Sequence, residues 1–219
     1  DLFIEELHPE DPERYRTPDG WARFETRRSI IEIAGQQPAT ITLRWSENGP
    51  VLPRGQFELG SITPPGHVAA LGWTALSAED TSIAAAIGMM SAPSVEAALD
   101  VGRKTIAPSQ NLVLIDADTI AMKTVGAMPR RDAAHETRGR LPAPGWKPQN
   151  RWQGTFPPSA TPEFLSPPGG IVGNTNNMTV DRPFPLHVSY HWGDSQRVQR
   201  WQAMMQGRRV HTRDSFVEA

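Results

Sequence analysis

The sequence predicts an α+β fold threaded with long proline- and glycine-rich connections. Three observations predict it. β-Branched runs pair around turn residues, as Ser29–Ile33 and Thr40–Trp45 do across Gly35 to Pro38. Two segments of helical composition follow. The 21 prolines and 18 glycines among 219 residues demand many turns and long connections rather than a helical bundle.

In chain order, Asp1 to Leu7 is apolar and acidic, with no start signal before it. After the hairpin, Asn48-Gly49-Pro50 is a turn, and Val68 to Leu76 is a largely buried strand by its apolar content. Ala78 to Met90 is a helix with Ser77 as its cap, and Ser94 to Thr105 a second with Ser94 near its start. Leu112–Asp116 and Ile120–Val125 flank Ala117-Asp118-Thr119 as strand, turn and strand. Met128 to Pro168 carries Trp146, Trp152, Phe156 and Phe164, more aromatic surface than a linker needs, and reads as an ordered loop lying over the body. Asp194 to Gln206 is a helix ended by Gly207. His211 to Ala219 reads as a cap, Thr212 or Asp214, and one helical turn, too little for a stable helix. The expected organisation is one partial domain over residues 1–219, cut from a longer chain at both ends.

Composition excludes several classes. A net charge of −2 leaves no basic surface for nucleic acid. No apolar run approaches the roughly 18 residues of a membrane span. The lack of cysteine removes thiolate metal sites, cysteine nucleophiles and disulfides. His187 and His191 stand four apart, but Pro183, Pro185 and Val188 argue against a helix, and no Glu-x-x-His accompanies them, so no zinc site is read.

The stretch richest in chemistry is Pro167 to Asn177. Two prolines and two glycines set a turn, and Ile171-Val172 leads as a short strand into Asn174-Thr175-Asn176-Asn177. Asparagines so placed either shape a turn or present amide groups from the margin of a rigid sheet.

Taken together, Asp1-Leu2-Phe3-Ile4-Glu5, Tyr15-Arg16-Thr17-Pro18-Asp19-Gly20-Trp21, Asn48-Gly49-Pro50-Val51-Leu52, Ala70-Leu71-Gly72-Trp73-Thr74, Ser109-Gln110-Asn111-Leu112-Val113, Leu141-Pro142-Ala143-Pro144-Gly145-Trp146, the asparagine stretch and Asp194-Ser195-Gln196-Arg197-Val198 are ordered landmarks. In order and spacing they resemble the large chain of the penicillin acylase (penicillin amidase) family, which includes acylases of N-acyl-homoserine lactones and of lipopeptides. The resemblance covers nearly the whole chain. It implies an N-terminal-nucleophile hydrolase, a four-layer αββα sandwich with two stacked sheets between helical layers, of which this chain is an internal part. It implies cleavage of the acyl amide bond of an N-acylated small molecule (a penicillin, an acyl-homoserine lactone or a lipopeptide) by a periplasmic or secreted enzyme.

In that family the nucleophile is the amino-terminal serine of the large chain, with its own α-amine as base, freed by self-cleavage of a precursor. Here the first residue is Asp1. The serine, the upstream part of the large chain and the small (α) chain are therefore expected as partners outside this sequence, and this chain alone is expected to be inactive. Ser29 and Ser61 have no base beside them in sequence and are rejected as replacements.

The resemblance places the oxyanion-hole asparagine at Asn176, with Asn174 as the near alternative, and a site-bracing arginine at Arg197. It matches Trp73 to a tryptophan of the acyl pocket, the alternative being ordinary core packing. Gln110 falls where the family often has an apolar pocket residue, which implies an altered acyl preference. Asp1 matches an aspartate of a structural calcium site in some members, but the region where a second aspartate is sought reads Pro185-Leu186-His187. No cofactor is implied for the chemistry itself. A reading of another class is a non-catalytic binding or structural module that keeps the same fold.

Overall fold

The computed structural model describes residues 1–217. Its largest sheet has six strands, in the order β10-β1-β7-β6-β5-β4. These are β1 (Leu2–Glu6), β4 (Glu25–Ile31), β5 (Ala39–Ser46), β6 (Gly49–Leu52), β7 (His67–Leu71) and β10 (Ala143–Pro144). β2 (Arg14–Thr17) and β3 (Gly20–Arg23) form a two-stranded ribbon beside it. A second sheet, ordered β11-β9-β8, is built from β8 (Gln110–Ile115), β9 (Ile120–Val125) and β11 (Glu163–Leu165). The helices are α1 (Leu59–Ile62), α2 (Ser82–Met89), α3 (Val95–Gly102), α4 (Gln196–Gln206) and α5 (Arg213–Val217). This is the α+β class that the pattern predicts. No helix among the described residues is long and apolar enough to cross a membrane.

The core sits where the alternating strands predict it. Phe3, Ile4 and Glu5 of β1 lie between Ala143-Pro144 on one side and Val68-Ala69-Ala70 on the other, and small residues on β7 let the sheet close. Ile4 and Ala69 pack on Leu59, while Tyr15 and Phe24 stack against Val68 from the ribbon side. The helix α3 lays Val95 and Leu99 on Ala121 of the second sheet. Its Ser94 cap forms as expected, the hydroxyl accepting from the Ala97 amide at 3.2 Å.

Several elements are shorter than, or different from, what the pattern predicts. The strand after Gly66 ends at Leu71, and Thr74–Leu76 is a 3-10 turn. The helix expected from Ala78 starts only at Ser82, because Ser77 spends its hydroxyl on the Glu79 amide and Asp80 accepts from the Ser82 amide at 2.9 Å. Glu47 and Asn48 make the hairpin turn, while Gly49 and Pro50 already belong to β6. Gly207 ends α4 at φ −69°, without the left-handed turn that glycine usually supplies there. In the last expected turn, Thr212 and Ser215 cap each other, and Glu218 and Ala219 lie outside the described residues.

The long segment from Met128 to Pro168 is ordered over the body, as its aromatics suggest, and it adds a strand to each main sheet, β10 and β11. The strand expected at Ile171-Val172 is absent: no residue from 167 to 195 is assigned to a strand. Prolines at 167, 168, 183 and 185 remove ladder donors, and glycines at 169, 170 and 173 lower strand propensity.

Candidate active site

The asparagine stretch is held by side-chain amides instead of a backbone ladder. Asn174 Oδ1 accepts from the Asn176 backbone N–H at 2.9 Å, and its Nδ2 donates to the Asn177 carbonyl at 3.1 Å. Asn177 Oδ1 in turn accepts from the Thr175 amide at 3.0 Å. Side chains of this type compete with regular structure by bonding nearby backbone. The outcome is a tight loop that turns Asn176 into the left-handed region, at φ 66°, a conformation asparagine tolerates better than most residues.

Each polar atom of Asn176 then has a distinct fate. Its N–H is taken by Asn174, and its carbonyl accepts from the Gly193 amide at 2.7 Å. Its side-chain oxygen accepts from Arg197 Nη2 at 2.8 Å. The side-chain N–H₂ has no partner among the described residues. Both side chains are solvent-exposed in this chain. Asn176 lines a cavity of about 570 Å³ that it shares with Gln110, Asn111, Val113 and Trp192. Thus three of the residues singled out in the sequence converge: Asn176 and Gln110 on one cavity, with Arg197 in the first turn of α4 fastened to the amide. Asn174, the near alternative, uses both ends of its amide inside the loop.

Gln110 opens β8 opposite Val125 and is exposed, so a polar group does reach that cavity. Ser109 and Ser189 line it too, but each hydroxyl donates to a backbone carbonyl, Val125 and His191 respectively.

Trp73 falls elsewhere. It edges a separate cavity of about 400 Å³, with Leu71, Leu76, Ile106 and Trp152 among the lining, and is 55% exposed. Trp73 is not among the buried core residues of this chain.

In this chain the Asp1 carboxylate is committed to other partners. It is gripped through both oxygens by Arg131, at 2.8 and 2.9 Å, and also accepts from the Trp152 indole N–H. The pair is largely withdrawn from solvent, at 13% and 6% side-chain exposure. A guanidinium already neutralises the charge that a divalent cation would need, and calcium demands six to eight oxygens. Among the described residues no cluster of three His, Asp or Glu side chains could hold a metal.

The remaining carboxylate of note is Glu5, fully buried on β1. One oxygen accepts from Ser46 Oγ at 2.7 Å and from Asn48 Nδ2 at 2.9 Å, and the other has no partner. Burial is the largest influence on it and pushes its pKa above the ordinary glutamate value. Glu5 holds the Glu47-Asn48 turn beneath Gly145, where a Cβ would stand 2.4 Å from its free oxygen. Sequence inspection passes over Glu5, Asn111 and Arg131 alike, since their roles depend on partners 41 to 130 positions away.

The family model for penicillin amidase matches residues 1–219. The chain belongs to that family. Among curated relatives, the acyl-homoserine lactone acylase QuiP of Pseudomonas aeruginosa PAO1 is 27% identical over 222 residues, covering 99% of this chain and 26% of its own length. The penicillin acylase 2 proenzyme of Pseudomonas sp. SE83 is 27% identical over 194 residues, covering 87% of this chain and 24% of its own. The thermostable penicillin G acylase of Alcaligenes faecalis shares the fold, with a TM-score of 0.81 at 23% identity over 100% of this chain and 38% of that one. This penicillin amidase family chain thus spans about a quarter of the length of the curated relatives it matches.

Proposed function

We propose that this chain supplies the oxyanion side of the active site of an acyl-amide hydrolase. The acyl group leaves an N-acylated small molecule, of the penicillin or acyl-homoserine lactone kind, and the nucleophile is an amino-terminal serine carried by a part of the protein outside these 219 residues. In the complete enzyme the two sheets take their place in an αββα sandwich, in a periplasmic or secreted protein assembled from two chains of one precursor.

One observation carries this reading. Arg197 occupies the side-chain oxygen of Asn176, so the amide is oriented with its N–H₂ edge free among the described residues, on a residue that lines a cavity. An arginine donates only and cannot bond the nitrogen, so the orientation follows from chemistry. The guanidinium also polarises the amide and strengthens it as a donor. A donor fixed in this way, aimed at the charge that builds on an attacked carbonyl oxygen, is worth roughly 3 to 4 kcal/mol. Arg197 acts on the substrate only through Asn176. Gln110 sets part of the cavity's polarity. Trp73 carries the acyl-pocket assignment from its own cavity.

The test uses the full-length, processed gene product with acyl-homoserine lactones of graded chain length and penicillin G. Asn176→Ala should lower kcat about a hundredfold or more at unchanged thermal midpoint. Asn176→Gly, which accepts the left-handed backbone without strain, should lose as much. A wild-type rate in either variant rejects the assignment. Mass spectrometry should find a processed chain that begins with serine; an unprocessed product inactive on every acyl amide would favour the binding-module reading.

A further inference from the structure

We infer that Asn111, on strand β8, is a positioning residue for Asn176 and acts through Asn174. The inference rests on the oxyanion role proposed for Asn176 and goes beyond it, because Asn111 belongs to a different element 65 residues earlier.

The bonds run in one direction. The buried Thr124 hydroxyl on β9 donates to Asn111 Oδ1 at 2.9 Å. At its other end Asn111 turns its nitrogen to the loop and donates to Asn174 Oδ1 at 2.9 Å. That same oxygen accepts the backbone N–H of Asn176, also at 2.9 Å, while the Asn174 nitrogen goes to the Asn177 carbonyl. Asn174 has a single satisfied orientation, because a backbone N–H claims its oxygen and a backbone carbonyl its nitrogen. Asn111 follows from it, since only its nitrogen can bond Asn174 Oδ1, and the Thr124 hydroxyl, able to donate or accept, donates to the oxygen that is left. A ladder-paired strand couple thereby dictates the geometry of a loop that has no ladder of its own. Holding one residue in a left-handed well otherwise costs conformational entropy and strain. Donors aimed at a transition state lose most of their effect when displaced by about 1 Å.

The experiment is a double-mutant cycle in the full-length enzyme, with an N-acyl-homoserine lactone as substrate and penicillin G as the second. Asn111→Asp is nearly isosteric and keeps the acceptor for Thr124, but deletes the donor to Asn174. It should lower kcat about tenfold, leave KM within about twofold, and leave the thermal midpoint unchanged. In the Asn176→Ala background the same substitution should cost nothing further, the mark of two residues acting as one unit. Asn174→Ala breaks the relay from its other end and should show the same pattern, which keeps the test available if Asn111→Asp does not fold. A wild-type kcat for Asn111→Asp overturns the inference. So does a tenfold loss that persists in the Asn176→Ala background, or a loss confined to KM, which would mean that Asn111 touches substrate directly. A wild-type rate for Asn176→Ala alone instead sinks the oxyanion reading on which all of this stands.

Discussion

Asn176 spends three of its four polar groups on its own support and leaves one without a partner among the described residues, which is how a loop residue acquires a fixed direction. Arg197 supplies the part of that support most open to a residue-level test. Arg197→Ala should lower kcat about tenfold in the full-length enzyme. Arg197→Lys should restore little, because an ammonium on a flexible stem lacks the planar fork that seats an amide oxygen; a lysine variant at wild-type rate would show that only the charge matters. Trp73→Ala should shift acyl chain-length preference, and unchanged selectivity would remove it from the acyl pocket. Glu5 offers a pH signature. Its folded pKa is raised by burial, so the folded state binds more protons than the unfolded one between the ordinary value of 4.5 and the raised value. Stability should therefore fall as pH rises through that window. Glu5→Gln should flatten that slope in thermal unfolding followed against pH, and an undiminished slope would place its origin in another group.

At the level of elements, a strong local period in the sequence carries over directly into the fold. The hairpin β4–β5 and the pair β8–β9 appear where β-branched runs and turn residues put them, and Ser94 caps α3. Elements whose ends depend on competing side chains depart from the local pattern: α2 is shortened by Ser77 and Asp80, and the asparagine stretch loses its expected strand to a net of amide bonds. Gly49 shows how tightly one element constrains another. It sits at φ 136°, and a Cβ there would stand 2.0 Å from the Leu71 carbonyl oxygen across the sheet. Gly49→Ala should destabilise the protein by several kcal/mol through backbone strain and lost β6–β7 pairing. Soluble yield and urea midpoint would report it, and an unchanged midpoint would show that the sheet yields there at little cost.

Across the whole molecule, the accessible surface is 14146 Å², against about 10,000 Å² for a compact chain of 24.2 kDa. Some of the excess is apolar: Ile83, Ile87 and Met90 stand 75%, 64% and 87% exposed about the helix α2, and Phe57 is 84% exposed. Surface of this kind is normally covered by other protein. Residues 1–219 produced alone should bind a hydrophobic dye and self-associate, whereas the full-length protein should do neither; a monodisperse fragment that ignores the dye would mean the exposed face is tolerated in water. The sequence by itself determined the α+β class, the main hairpins and the family landmarks, because period, turn chemistry and residue order are local properties that survive in one dimension. Only the tertiary structure decided that Asn176 rather than Asn174 keeps a free donor, that Trp73 borders another cavity, and that Arg131 holds Asp1. Those outcomes depend on which distant atoms claim each hydrogen bond first, and no reading of neighbours along the chain contains that information.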